Sequence, residues 1–269
     1  MQFFHAIRWK KRYILYGVAL IAAVRIGAAC LPPAAEKVSA ILTAESNREL
    51  PIYCVQTPEK KVAVSFDAAW GADDTDELLR ILEENNVKAT FFLCGYWVDK
   101  YPDEVEKIAK AGHDLGNHSA THPHMSQLTA EQITKELQDC HAAVKELTGI
   151  EMDLFRPPFG EYNNTVIQTA RENGYYSIQW DVDSLDWKEQ GVDAEINQVL
   201  NHKHLGNGSI LLFHNDAKYT PQALDTILKG LKEKGYEIVP ISELIHRDSF
   251  EMDHEGRQIP KNLSESSTE

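Results

Sequence analysis

The sequence predicts an α/β domain, a parallel sheet with helices packed outside it. Three observations carry that reading. Strand-like and helix-like runs alternate from residue 62 to residue 246. Chemically capable side chains recur just after the strand-like runs: Asp67, the Asn117-His118 pair, Arg156, Asp183, Asp186 and His214. The composition is globular, with 43% hydrophobic and 25% charged residues in a chain of 269. A doubly wound sheet and a barrel both satisfy the alternation, and in both the sites gather at the strands' C-terminal ends.

The elements follow in order. Residues 1–30 have a basic cluster (Arg8, Lys10, Lys11, Arg12), then an apolar run through Val24, then Arg25 and small residues. That is the layout of a signal peptide. It also suits a signal-anchor if Arg25 snorkels, because a spanning helix needs about 20 apolar residues. Either version places the rest of the chain outside the cytoplasm, with the N-terminal segment as the link to a membrane. Residues 31–57 read as a linker with a possible lead-in strand, opened by Pro32 and Pro33.

Within residues 58–247, residues 62–66 are a strand and 73–84 a helix with Leu78, Leu79 and Leu82 on one face. Residues 89–94 form a strand, 102–111 a helix and 113–117 a short strand. A long helix spans 129–147, opened by Thr129 and Gln132 in capping-box spacing and closed by Gly149. Then come a strand at 154–155, a helix at 163–173 ended by Gly174, and a strand at 175–180. A helix at 192–202, a strand at 209–213 and a helix at 221–234 closed by Gly235 follow. A strand at 237–239 and a helix at 241–246 complete the domain, and the polar tail 248–269 reads as disordered.

Charge and cysteine content narrow the function. The chain has 41 acidic and 27 basic residues, a formal charge of −14. A general nucleic-acid binder, which depends on Lys and Arg meeting phosphates, is excluded as the expectation. Cys30, Cys54, Cys94 and Cys140 form no C-x-x-C pair, so neither a zinc knuckle nor a disulfide framework is expected.

Several segments can carry chemistry. His118 and His122 lie four apart in a loop after a strand and can present two imidazoles to a divalent metal, or can be surface histidines. Asp67 ends a strand and can be a ligand, a general base or a helix cap, although Asp74 and Thr75 are better placed to cap. Arg156 precedes Pro157, Pro158, Phe159 and Gly160, a stiff turn that suits a guanidinium paired with a carboxylate. Residues 180–187 crowd Asp181, Asp183 and Asp186 between Trp180 and Trp187, a combination that suits a sugar site or an acidic loop around one core Trp. His214 ends an apolar strand and is either a core histidine or a functional one.

Together these segments resemble the polysaccharide deacetylase family, the NodB-homology or carbohydrate esterase family 4 domain. Five motifs occur in order. The first, T-F-D-D-G in the family, is Ser65-Phe66-Asp67-Ala68-Ala69 here; the second, H-[ST]-x-x-H-P, is complete from His118 to Pro123. The third is Arg156 to Gly160, the fourth Asp183 to Trp187, and the fifth Leu212 to His214. The altered first motif, followed by Trp70-Gly71, is similar to the sporulation-associated PdaB-type branch.

The resemblance implies a distorted (β/α) barrel and hydrolysis of N-acetyl groups on a cell-wall or chitin-like glycan. It implies that His118 and His122 hold a divalent metal, zinc or cobalt, and that Asp67 is the base, oriented by Arg156. It assigns His214 as the acid, tuned by Asp186, with the Phe159 N–H at the oxyanion and Trp187 and Leu212 around the acetyl methyl. One departure matters. Ala68 stands where the family has its metal-ligand Asp, so the implied ligand set falls to two imidazoles unless Asp73, Asp74 or His124 substitutes. A glycan-binding pseudoenzyme is therefore an alternative expectation, and a structural wall or spore-coat protein a third.

Overall fold

The computed structural model describes residues 48–261. The predicted signal segment and most of the predicted linker lie outside the described residues, as do residues 262–269. Among the described residues, no helix is long and apolar enough to cross a membrane.

The main sheet is built on β2 (Lys61–Ala68), flanked by β3 (Thr90–Leu93) and β8 (Ile210–His214). Beyond β3 lie β4 (Asp114–Asn117), β5 (Leu154–Phe155) and β6 (Tyr176–Ser177). Beyond β8 lies β7 (Val182–Asp183), while β9 (Glu237–Val239) pairs with the start of β2. Every pairing in this sheet is parallel. The curled sheet and its helices make the distorted (β/α) barrel that the sequence resemblance implies.

The strand sequence explains the layering. In β2, Val62, Val64, Phe66 and Ala68 pack with the helices, whereas Ala63 joins the inner cluster around Phe92, Leu154, Ile178 and Ile210. Alternation along the strand puts Ser65 and Asp67 on the inner face as well. Seven of its eight residues are buried, as expected of a central parallel strand covered on both sides. Phe66 holds the outer layer by stacking on Phe91 at 4.9 Å between ring centroids and packing against Phe213 at 5.7 Å.

The helices cover the outer face, except the last and shortest, whose Ile241 and Leu244 join the inner cluster. They are α1 (Thr75–Glu84), α2 (Gly95–Lys100), α3 (Pro102–Lys110), α4 (Ala130–Thr148) and α5 (Asn164–Glu172). After them come α6 (Val192–Leu200), α7 (Thr220–Glu233) and α8 (Ile241–Leu244). The predicted capping box opens α4, with reciprocal bonds between Thr129 and Gln132, and Gly149 closes it in a left-handed conformation at φ 72°. Helix α1 starts at Thr75, two residues later than its acidic residues suggest, and Asp74 precedes it without a side-chain cap.

The tail departs from the expectation of disorder. β10 (Phe250–Met252) and β11 (Arg257–Pro260) form an antiparallel hairpin, and β11 pairs in parallel with β1 (Cys54–Val55). Polar composition hid this, because the hairpin is held by backbone pairing and by the fully buried Gln258. The Gln258 amide accepts from His246 N at 2.7 Å and donates to His246 O at 2.6 Å. β1 also sits at the N-terminal end of β8, where Val55 N donates to Gly208 O at 2.9 Å. Gly208 has φ 81°, and a Cβ there would collide with the Val55 backbone. Cys54, Cys94 and Cys140 are buried and free.

Candidate active site

Parallel pairing brings the motif residues together at the C-terminal ends of the strands. Asp67 of β2 lies in register with His214 of β8, and Ala68 with Leu93 of β3. Asn117, the last residue of β4, pairs with Phe155 of β5, which places His118 and Arg156 side by side.

Arg156 is fully buried, and its guanidinium is fixed from several directions. Nη1 donates to Asp67 Oδ1 at 2.7 Å; Nη2 donates to Ser65 Oγ at 2.9 Å and to Gln179 O at 3.2 Å. The group lies over the Phe92 ring at 4.1 Å. Burial on its own would raise the Asp67 pKa, but Arg156, His118 and His214 together outweigh it and hold the carboxyl below its ordinary value. Asp67 is therefore a buried carboxylate.

The His118 ring is oriented by the Arg156 carbonyl, 2.7 Å from Nδ1. A carbonyl only accepts, so the proton is on Nδ1 and Nε2 offers its lone pair 3.7 Å from Asp67 Oδ2. The following loop is held in left-handed backbone at Ser119 (φ 68°) and His122 (φ 57°), with His122 N donating to Ser119 Oγ at 3.0 Å. That conformation brings the His122 ring to 4.9 Å from His118, edge to face. Burial lowers both pKa values, His122 to about 4, so both imidazoles are neutral near pH 7. Phe159, itself at φ 59° and 56% exposed, meets His122 edge-on and stacks on His124.

On the other side, His214 Nδ1 lies 2.7 Å from Asp186 Oδ1, and His214 N donates to Asp186 Oδ2 at 2.7 Å. Trp187 N donates to Asp186 Oδ1 at 2.7 Å. Burial works to lower the His214 pKa, but Asp186, Asp67 and Asp183 raise it overall, so the imidazolium is favoured. Trp187 is half exposed at the rim, and Leu212 is buried in β8 between Ser65 and Asp183.

The donor set does not complete a metal cradle. Ala68 is fully buried in the apolar layer under the helices and offers no ligand atom. His124 pairs instead with Glu161 at 2.8 Å, and Asp74 faces Asp216 electrostatically. Among the described residues no three His, Cys, Asp or Glu side chains converge as a metal site. A hydrolytic zinc normally has three protein ligands and a water, and two imidazoles fall short of that.

Three neighbours of the site escaped the sequence reading. Trp70 stacks on His214 with ring centroids 4.6 Å apart and planes 8° from parallel. Thr220 Oγ1 lies 3.2 Å from Asp186 Oδ2 and 3.0 Å from Glu195 Oε1, which links a second buried carboxyl to the His214 pair. Burial, then the Asp186 charge, pushes Glu195 up to about 7. The aromatic-glycine pair after the first motif was a visible signal for Trp70; Thr220 and Glu195 sit inside ordinary helical patterns and gave none.

Comparison with known proteins agrees with this geometry. The polysaccharide deacetylase family pattern matches residues 55–178. The chain is 35% identical over 196 residues to a peptidoglycan-N-acetylglucosamine deacetylase of Bacillus cereus, covering 71% of this chain and 91% of that one. It is 35% identical to the uncharacterized protein YlxY of Bacillus subtilis, covering 75% of this chain and 62% of YlxY. Among solved structures, a wild-type CE4 family pseudoenzyme from Bacillus anthracis superimposes with a TM-score of 0.69 at 32% identity, covering 78% of this chain and 72% of that one. A mutant of that pseudoenzyme is described as having restored enzymatic activity. Shared motifs, shared barrel and a third of the residues in common establish that the chain belongs to the polysaccharide deacetylase family, hydrolases of non-peptide carbon–nitrogen bonds.

Proposed function

We propose that this chain removes acetyl groups from N-acetylated amino sugars of peptidoglycan. One observation carries the reading: a buried carboxylate and an imidazole whose charged form is favoured lie in register, Asp67 on β2 and His214 on β8. Asp67 takes a proton from the water whose oxygen bonds to the acetamide carbon. His214 gives its proton to the sugar nitrogen as the carbon–nitrogen bond breaks, releasing acetate and a free amine. Arg156 keeps Asp67 ionised, and Asp186 keeps His214 charged and oriented. The Phe159 N–H is assigned to the oxyanion, and Trp187 and Leu212 to the acetyl group. The basic and apolar residues of the N-terminal segment support an extracytoplasmic, membrane-linked location, where wall glycan is found. The Trp70-Gly71 resemblance supports a sporulation setting.

Ala68 favours a second reading, a glycan-binding relative without turnover. Amine release from N-acetylated glycan, measured with added zinc or cobalt, separates the two. Release that is lost in both Asp67→Asn and His214→Ala supports the deacetylase. Glycan binding without release supports the second reading, and neither binding nor release rejects both.

A further inference from the structure

Trp70 exposes 46% of its surface although it stacks on half-buried His214, the neighbour of buried Asp67. An indole left in water forfeits hydrophobic free energy, so its placement calls for a cause. The turn that carries it is fixed on both sides. Tyr96 Oη donates to Ala69 O. Trp97 Nε1, from a fully buried side chain, donates to Gly71 O at 2.9 Å, and Asn215 Nδ2 donates to the same oxygen at 2.6 Å. Gly71 also packs against the Asp216 carboxylate, which would have to turn aside for a Cβ. Donors from α2 and from the residue after His214 thus hold residues 69–71 in one place. The outcome is a flat indole lying parallel to the His214 imidazole.

The geometry points to Trp70 as a sugar-stacking platform that positions the glycan over the acid: its inner face lies on His214, and its outer face takes a pyranose ring. This rests on the deacetylase reading for what the positioning achieves, though not for the subsite itself. A pyranose presents a face of C–H groups, which pack against an aromatic ring, and the indole is the largest such surface available. The inner face has a second effect. An aromatic face stabilises an adjacent cation, so Trp70 adds to Asp186, Asp67 and Asp183 in favouring the imidazolium against the burial of the ring, with His118 and His122 nearby and neutral. The ring that receives the sugar thus also lies against the acid and favours its charged form. Phe159 and Trp187 are also exposed at this mouth, but neither stacks on the acid.

The test uses the β-1,4-linked pentamer of N-acetylglucosamine with wild-type protein, Trp70→Ala and Trp70→Phe. Binding is followed by calorimetry and the His214 ring by NMR titration. Trp70→Ala is expected to weaken binding by about tenfold or more and to lower the His214 pKa, and Trp70→Phe to restore most of both. A protonated imidazole quenches a stacked indole, so wild-type fluorescence should follow the His214 titration, and this component should vanish in Trp70→Phe. If Trp70→Ala binds the pentamer as wild type does, or wild type does not bind it, the platform is wrong. If binding depends on Trp70 while no amine is released, the platform stands and the deacetylase reading falls.

Discussion

At the scale of single residues, the site holds three buried carboxyl groups, Asp67, Asp186 and Glu195, and the first and last of them have contrasting partners. Asp67 is matched to a guanidinium that has no access to water, so removing its charge strands Arg156. Asp67→Asn is expected to destabilise the fold by about 3–5 kcal/mol as well as to abolish amine release, and urea unfolding checks the first effect. Arg156→Lys should also fail to substitute, since an ammonium cannot span Asp67, Ser65 and the Gln179 carbonyl at once. Glu195 behaves in the opposite sense. Its folded pKa of about 7 lies above its ordinary 4.5, so between those values the folded protein holds a proton that the unfolded chain has released. Stability therefore declines as pH rises through that window and levels off above it. Glu195→Gln should flatten this part of the profile, read as a smaller drop in Tm between pH 5 and pH 8 than in wild type. The five principal polar residues of the site were legible because each ends or follows a strand within a recognisable motif. Thr220 and Glu195 were not, because they sit inside ordinary helical patterns, and Trp70 carried only the Trp-Gly signal after the first motif.

At the scale of elements, sequence reading found the strands buried on both sides and even the two-residue β5, and missed α2, β7 and the β10–β11 hairpin. The near-continuous apolar runs of β2 and β8 and the capping box of α4 announced themselves. Helix α2 has six residues, too few to show a helical period, and β7 has two, so both passed unseen. The β10–β11 hairpin was misread because its apolar content is thin, whereas its stability comes from the register of β11 on β1. The junction between β1 and β8 is the tightest point of that arrangement. Gly208→Ala is expected to cost on the order of 2–3 kcal/mol, through positive φ and the clash with Val55 together. The measurement is urea unfolding, and amide exchange at Val55 should accelerate more than at Phe66.

At the scale of the whole molecule, the barrel has two ends with different work. At the strands' C-terminal ends gather Asp67, His118, Arg156 and His214; at the opposite end β1, β11 and Gly208 close the floor over Ile52, Val55 and Ile210. Deleting residues 250–261 should therefore lower Tm without changing the register of β2 with β8. Amide exchange checks this: Tyr53 and Gln56, whose N–H groups donate to Gly256 O and Gln258 O, should lose protection while Ser65 and Phe66 keep theirs. A site of this kind also has a kinetic character. The turn at residues 69–71 is bolted in place before any ligand arrives, so capture requires no closing lid. Stopped-flow mixing with glycan should then show a single exponential whose rate climbs in proportion to ligand concentration, with no plateau from a slower rearrangement.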